Sequence, residues 1–347
     1  MLFDLAPKLE KKDFYDFEKE LENLVSSLRD PHTRMIVLKG LRRTGKSSLL
    51  RVALRESKVP HVYVDLRKAV SPSEFMSIFQ GALSDLLASL RWPDKLLKRL
   101  EVSVEIKGLR ISFKRRKLDI FIDTLEKLNE WATDKNSRII LALDEAQELR
   151  FIKGFDKLLA YVYDNLRGIG VVITGSEVGV LDRFLGVEKP KSPLFGRGFV
   201  EVKTTKLDSD KALDFLRKGF KEVNVRVDAE MLEKVVSTAG GIVGWLTLYG
   251  WLVWKGKSPE TALKELIKKG SSMLADEIEK FLKPRELARS KYLAVLEGTS
   301  MKPMSWSEAK RYTALRVGEV DDKSLTNIIH ALSLIHISEP TRPRLIS

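Results

Sequence analysis

The chain has 347 residues, 44% hydrophobic and 31% charged, with 61 Lys and Arg against 48 Asp and Glu and a formal net charge of +13. That length exceeds one ordinary domain, and the basic balance points to polyanionic partners: nucleotides, nucleic acid or an anionic membrane surface. With no cysteine and four histidines, disulfides, thiol catalysis and thiolate metal sites are excluded and a His-rich metal site is not expected.

No apolar run approaches the roughly 20 residues of a membrane-spanning helix. The opening MLFDLAPKLEKKDF carries acids and no long apolar stretch, so it does not read as a signal peptide. A soluble cytoplasmic protein without a membrane partner is expected.

In chain order, Phe17, Leu21, Leu24 and Leu28 recur at helical spacing within residues 13–29. Met35–Leu38 is a short apolar run bounded by glycine, the pattern of a buried strand. A helix is expected from Ser47 to Leu54, a strand from His61 to Leu66, and a helix from Ser71 to Leu90 that opens with a Ser-Pro-Ser-Glu cap. Residues 102–113 alternate around Lys107-Gly108, a hairpin signal. A helix over Ile120–Thr133 precedes a third strand, Arg138–Leu143. A helix over Phe155–Arg167 leads to a fourth strand, Gly170–Thr174, and Phe199–Val202 offers a fifth. Strands alternating with helices predict an α/β fold, a parallel sheet with helices on both faces. From Asp208 the pattern is helical to about Leu282, and Pro284 marks a boundary before a small helical segment.

Gly40-Leu41-Arg42-Arg43-Thr44-Gly45-Lys46-Ser47 fits the phosphate-binding loop G-x-x-x-x-G-K-[ST], with a strand before it and a helix after it. The two glycines permit a turn that points backbone N–H groups inward, and these, with the helix start through Ser47 and Ser48, cradle phosphates. Lys46 is placed to reach the β- and γ-phosphates, and the Ser47 hydroxyl to ligate Mg²⁺. Residues 139–145, Ile-Ile-Leu-Ala-Leu-Asp-Glu, form an apolar strand ending in two acids. That end is either a solvated strand end or a site where Asp144 is expected to hold Mg²⁺ through water and Glu145 to orient or deprotonate the attacking water. Gln147 either faces the site or sits on a helix surface. Thr174, ahead of Ser176, is either a γ-phosphate or water contact or a cap of the next helix. Arg197, directly before the fifth strand, is either an arginine finger or a surface arginine.

LFDLAPK, GLRRTGKSSLL, LALDEAQEL, ITGSEVGVL, SPLFGR and GGIVGWL together resemble the archaeal ATPases of the AAA+/STAND superfamily of P-loop NTPases, over almost the whole chain to about residue 331. The resemblance implies ATP and Mg²⁺ as ligands and a helical lid and a winged helix-turn-helix after the ATPase core. On that basis the domains are 1–205 (P-loop ATPase core), 206–283 (lid) and 284–331 (partial winged helix). Two departures stand out. Phe17-Glu-Lys-Glu20 lacks the arginine of the related Arg-Glu-x-Glu pattern, and Val243 stands where the lid's Gly-x-Pro motif has proline. Trp245 and Trp251 read as packing within the lid rather than as stacking platforms.

Residues 107–117 hold six basic residues and no acid, either a solvated hairpin or a contact to a nucleic-acid backbone. Residues 285–331 hold eight Lys/Arg and six Asp/Glu. Short helices are expected there at Ala288–Glu297, Ser305–Val317, opening on a Ser305–Glu308 capping box, and Lys323–Leu332. The third offers Asn327 and His330 but little charge, which fits a protein-packing module better than a DNA reader. Residues 332–342, LSLIHISEPTR, match one frame of a common sequencing-library transposon adapter. Residues 332–347 are therefore expected to be a non-native tail on a truncated winged helix, leaving Ile328, Ile329 and Leu332 poorly packed. The function expected is an ATP-binding, slowly hydrolysing switch with a protein partner or a homo-oligomer. The alternative is a DNA-binding regulator or mobile-element protein with an accessory ATP site.

Overall fold

The computed structural model of the protein describes residues 1–90, 117–175, 186 and 190–333. The expected hairpin at 102–113, the basic run up to 116, Ser176 and the segment from 334 onward lie outside the described residues. The chain divides into two compact units, Met1–Lys257 and Ser258–Ser347. The break falls inside the stretch expected as a lid, where Gly256 takes a left-handed turn (φ 93°) and Ser258 caps a new helix with Pro259 in its first turn.

Among the described residues of the first unit, five strands, β1 (Met35–Gly40), β2 (His61–Asp65), β3 (Ile139–Asp144), β4 (Ile169–Gly175) and β5 (Val200–Thr204), form one sheet in the order β2-β3-β4-β1-β5. Every pairing is parallel. β1, β3 and β4 are buried along their whole length, as their continuous apolar runs predict. Successive residues divide between two cores. Val37, Leu141 and Val171 pack with Phe75 and Phe79 of α3 (Pro72–Leu90), Phe121 of α4 (Lys117–Asp134) and Phe155 of α5 (Phe155–Asn165). Ile36, Ile140 and Val172 pack with Leu24 and Leu28 of α1 (Glu18–Arg29) and Leu49 and Leu50 of α2 (Lys46–Ser57). Helices therefore cover both faces, and the expected α/β architecture is the one observed. The helix expected from residue 13 begins only at Glu18, because Asp16 and Phe17 are left-handed (φ 62° and 65°).

Three helices follow β5: α6 (Ser209–Glu222), α7 (Ala229–Ala239) and α8 (Val243–Trp254). Phe3, fully buried, is inserted between α6 and α8. It meets Phe215 and Phe220 edge-on at 6.0 and 4.8 Å, and a Cβ on Gly219 or Gly250 would come within 2.3 Å of its ring. Burying such a ring contributes about 1.5–3 kcal/mol.

The second unit is helical throughout its described residues: α9 (Pro259–Leu282), α10 (Arg289–Met301), α11 (Trp306–Val317) and α12 (Asp322–Ser333). The chain kinks after α9, where Arg285 leaves helical geometry beside Pro284. The Ser305–Glu308 capping box is present. One expectation is corrected. Ile328 and Leu332 are 4% and 0% exposed, packed with Leu282, Tyr292, Val295, Val320 and Leu325, and Ile329 lies against the same cluster. Among the described residues neighbouring helices cover these side chains, so Ile328, Ile329 and Leu332 are well packed.

Candidate nucleotide site

The carboxyl ends of β1, β3, β4 and β5 carry Gly40, Asp144, Thr174 and Thr204. Open parallel sheets bind ligands at this edge. Gly40 has no alternative there, because a Cβ would fall 2.1 Å from Thr204 Oγ1. Arg43 (φ 68°) and Gly45 (φ 93°) take the left-handed turns that curl the loop over the start of α2. Thr44, fully buried, donates to Leu41 O at 2.8 Å and shares a hydrogen bond with Thr204 Oγ1 at 2.6 Å, which fastens the loop to β5.

Lys46 is 4% exposed, and its ammonium donates to Gly40 O (3.0 Å) and Leu41 O (2.7 Å). Burial pushes its pKa down, against the opposing pull of Glu145 and Asp144. The loop lysine and the two strand-end acids thus belong to one electrostatic site. Ser47 is half-buried in the first turn of α2, Arg42 is exposed, and the Ser48 hydroxyl accepts the Lys8 N–H at 3.0 Å. The segment that inserts Phe3 among α6 and α8 therefore also touches the phosphate-loop helix.

Asp144 is fully buried. Its Oδ2 accepts the Tyr63 hydroxyl at 2.6 Å and its Oδ1 accepts the Thr174 hydroxyl. Thr174 Oγ1 in turn accepts the Glu145 N–H at 3.0 Å. Thr174 is thus brought to the acids and braces both of them. Burial and the neighbouring Asp144 push the Tyr63 phenol well above its ordinary pKa, so it remains a donor. Glu145 is left-handed (φ 60°), and Gln147 Nε2 donates to its Oε2 at 2.5 Å. Gln147 is 2% exposed and its Oε1 has no hydrogen-bond partner, so it does not lie on a helix surface but packs against Glu145. Arg197 makes its contacts elsewhere. Its guanidinium forks onto Asp164 (Nε–Oδ1 2.9 Å, Nη2–Oδ2 2.5 Å) and donates to Pro193 O. That fork pushes the arginine's pKa up.

Trp245 is buried at 9% exposure, as expected of packing within the lid, and its ring also meets the phosphate loop, with the Arg43 guanidinium 4.0 Å from its centroid. The reason is the glycine beside it. Gly244 N–H donates to Arg43 O at 2.9 Å, and a Cβ on Gly244 would stand 2.7 Å from Arg43 Cβ. Only glycine lets α8 approach the loop this closely. Tyr63, Thr204, Lys8 and Trp245 were not picked out from the sequence as site residues. Tyr63 alone carried a signal, because a tyrosine inside an apolar strand needs a partner for its hydroxyl.

The donor set suits Mg²⁺ carried on a nucleotide. Ser47 and Asp144 offer hard oxygen ligands, and each Asp144 oxygen retains a lone pair beyond the hydroxyl it accepts. Among the described residues no cluster of three or more His, Asp or Glu side chains forms a metal cage, and Mg²⁺ ordinarily completes its shell with phosphates and water.

Residues 14–248 match the model of an ATPase domain found predominantly in Archaea. The chain belongs to this family. The Walker-type ATPase of Pyrococcus abyssi has the same architecture, with 30% identity, a TM-score of 0.76, and 96% of this chain and 93% of that one covered. A curated relative, an uncharacterised ATP-binding protein of Methanocaldococcus jannaschii, is 30% identical over 151 residues, 40% of this chain. The match spans 42% of that relative's length. No helix among the described residues is long and apolar enough to cross a membrane.

Proposed function

We propose that this ATPase-family protein binds ATP with Mg²⁺, hydrolyses it slowly, and uses the nucleotide to switch the contact between its phosphate loop and α8. The observation that carries the reading is the double tether of the loop, with Lys46 on the Gly40 and Leu41 carbonyls and Arg43 on Gly244 and Trp245. The β- and γ-phosphate oxygens compete for the Lys46 ammonium and the inward N–H groups with charge-assisted bonds roughly twice as strong as neutral ones. Phosphate arrival therefore pulls Lys46 off its carbonyls and reshapes the loop that holds Arg43 against Trp245.

Mg²⁺ on Ser47 and Asp144 would supply charge neutralisation at the β- and γ-phosphates. Glu145 accepts a proton from the attacking water as the bond between the γ-phosphorus and the bridging oxygen breaks. Gln147 holds Glu145 in the resting site, which accords with slow turnover.

The test is tryptophan fluorescence during titration with ATP and with ADP, in wild type and in Trp245→Phe. ATP should change the emission, and Trp245→Phe should abolish that change while leaving binding intact. Binding without any signal from Trp245 refutes the switch; absence of nucleotide binding refutes the site.

A further inference from the structure

Asp144 is gripped from both neighbouring strands. On β4, Thr174 donates to Oδ1; on β2, Tyr63 donates to Oδ2 at 2.6 Å. In the parallel register Asp65 stands opposite Asp144, so Tyr63 sits two residues back along β2, and a phenol is long enough to span that offset. The grip leaves the carboxylate no free rotation and directs its remaining lone pairs. Behind the phenol, the Arg51 guanidinium lies 4.5 Å from the Tyr63 ring centroid, and its Nε is buried without a hydrogen-bond partner. Arg51 belongs to α2, four residues after Ser47 and on the same helical face. An unpaired guanidinium nitrogen is costly to bury, and the Tyr63 ring face offsets part of that cost. A continuous path thus runs from the Ser47 helix, through Arg51 and Tyr63, to Asp144.

We propose that Tyr63 is a positioning residue that aims Asp144 at the nucleotide's Mg²⁺, and that Arg51 ties this aim to the helix carrying Ser47. The proposal rests on the Mg²⁺–ATP reading above and adds the groups that set the geometry of its carboxylate. Without the phenol, Asp144 Oδ2 becomes a buried acceptor lacking its donor, and the carboxylate turns about a single remaining hydrogen bond.

The experiment titrates a fluorescent ATP analogue into the full chain, first with a chelator and then across a Mg²⁺ series, for wild type, Tyr63→Phe and Arg51→Met. Outer-sphere partners of this kind typically change metal affinity 10–100-fold when removed. Tyr63→Phe should keep the Mg²⁺-free affinity within about twofold and raise the Mg²⁺ concentration for half-maximal enhancement about tenfold. Arg51→Met should shift it in the same direction by a smaller factor. An unchanged Mg²⁺ midpoint in a variant with wild-type melting temperature overturns the positioning role. Equal loss of Mg²⁺-free binding overturns it too, because that marks a general structural defect. A wild-type protein that binds the analogue without any Mg²⁺ dependence removes the underlying reading along with it. Should Tyr63→Phe not fold, an unchanged midpoint in Arg51→Met overturns the coupling.

Discussion

The phosphate-loop edge of the sheet and the helical unit from Ser258 onward handle polar groups in opposite ways. At the sheet edge Lys46, Thr44, Asp144, Gln147, Thr174 and Thr204 are all buried, and the bonds Thr44–Thr204, Tyr63–Asp144 and Thr174–Asp144 join residues far apart in sequence. In the helical unit Thr313 is the one buried polar side chain among the described residues, and its hydroxyl returns to Ala309 O at 2.7 Å, within its own helix. Ion pairs there, such as Arg316–Glu297 and Arg289–Glu279, lie at the surface. Burying unlike polar groups together is costly, so their concentration at one edge of the sheet supports that edge as the proposed nucleotide site. Among its described residues the helical unit buries apolar side chains and leaves its ion pairs at the surface.

If the contrast holds, substitutions at the sheet edge alter ligand chemistry strongly and those in the helical unit barely do. Lys46→Ala should have the largest effect, a loss of ATP affinity on the order of a hundredfold or more, because it deletes charge-assisted bonds to two phosphates. Calorimetric titration would measure it, and wild-type affinity in the variant would remove the phosphate-loop assignment. Glu145→Gln should retain ATP and Mg²⁺ but lower turnover by about a hundredfold, the usual contribution of a general base. Equal loss of binding would make Glu145 a ligand or a structural residue instead.

Gly241→Ala probes the seam between the sheet and α8. Gly241 has φ 75°, and a Cβ there would lie 2.0 Å from Leu207 O. The strain should cost about 2 kcal/mol and lower Tm by about 4–8 °C, read by calorimetry. A neutral result would mean the seam yields easily, and α8 would be a poor relay for the loop.

What the sequence disclosed follows the range of the interactions. Gly40, Gly45, Lys46 and Ser47 work through local backbone geometry, so a spacing of a few residues reveals them. Asp144 and Glu145 are legible because they end an apolar run. The Tyr63–Asp144 bond joins residues 81 apart, and the Arg43–Gly244 contact joins residues 201 apart, and no local pattern encodes such pairs. The same limit explains Leu332. Its burial depends on Tyr292 and Val295 one helix away, whereas the expectation of poor packing considered only strands that would follow it. The Val243 departure was visible, but its neighbour Gly244 gains meaning only when Arg43 is seen 2.7 Å from its missing Cβ.

In the helical unit the effects should be small. Arg316→Ala removes an exposed, solvent-screened ion pair with Glu297 and should leave the melting temperature and nucleotide affinity unchanged. A lowered melting temperature, or any change in ATP binding, would mean that the unit has a polar function of its own.

The subtlest expectation concerns Glu308 and is a matter of pH. Its carboxylate accepts the Ser305 N–H at 2.8 Å and the Ser305 hydroxyl at 2.9 Å, and pairs with Lys302 at 3.2 Å. The Ser305 backbone bond first, then its hydroxyl and Lys302, push the pKa from 4.5 down to about 2. A depressed carboxyl stabilises the folded state at pH above its unfolded value, so the contribution is complete above about pH 4.5 and is lost as pH falls toward 2. Because the group is fully exposed, solvent screens it and the effect on global stability is slight. The direct reading is therefore site-specific. Carbon-detected NMR should give Glu308 a titration midpoint near 2, rising in Ser305→Ala as the hydroxyl bond goes while the backbone bond remains. A midpoint near 4.5 in the wild-type protein would show that the capping box does not persist in solution. The start of α11 would then fray, and the helical unit would lose its best-defined polar feature.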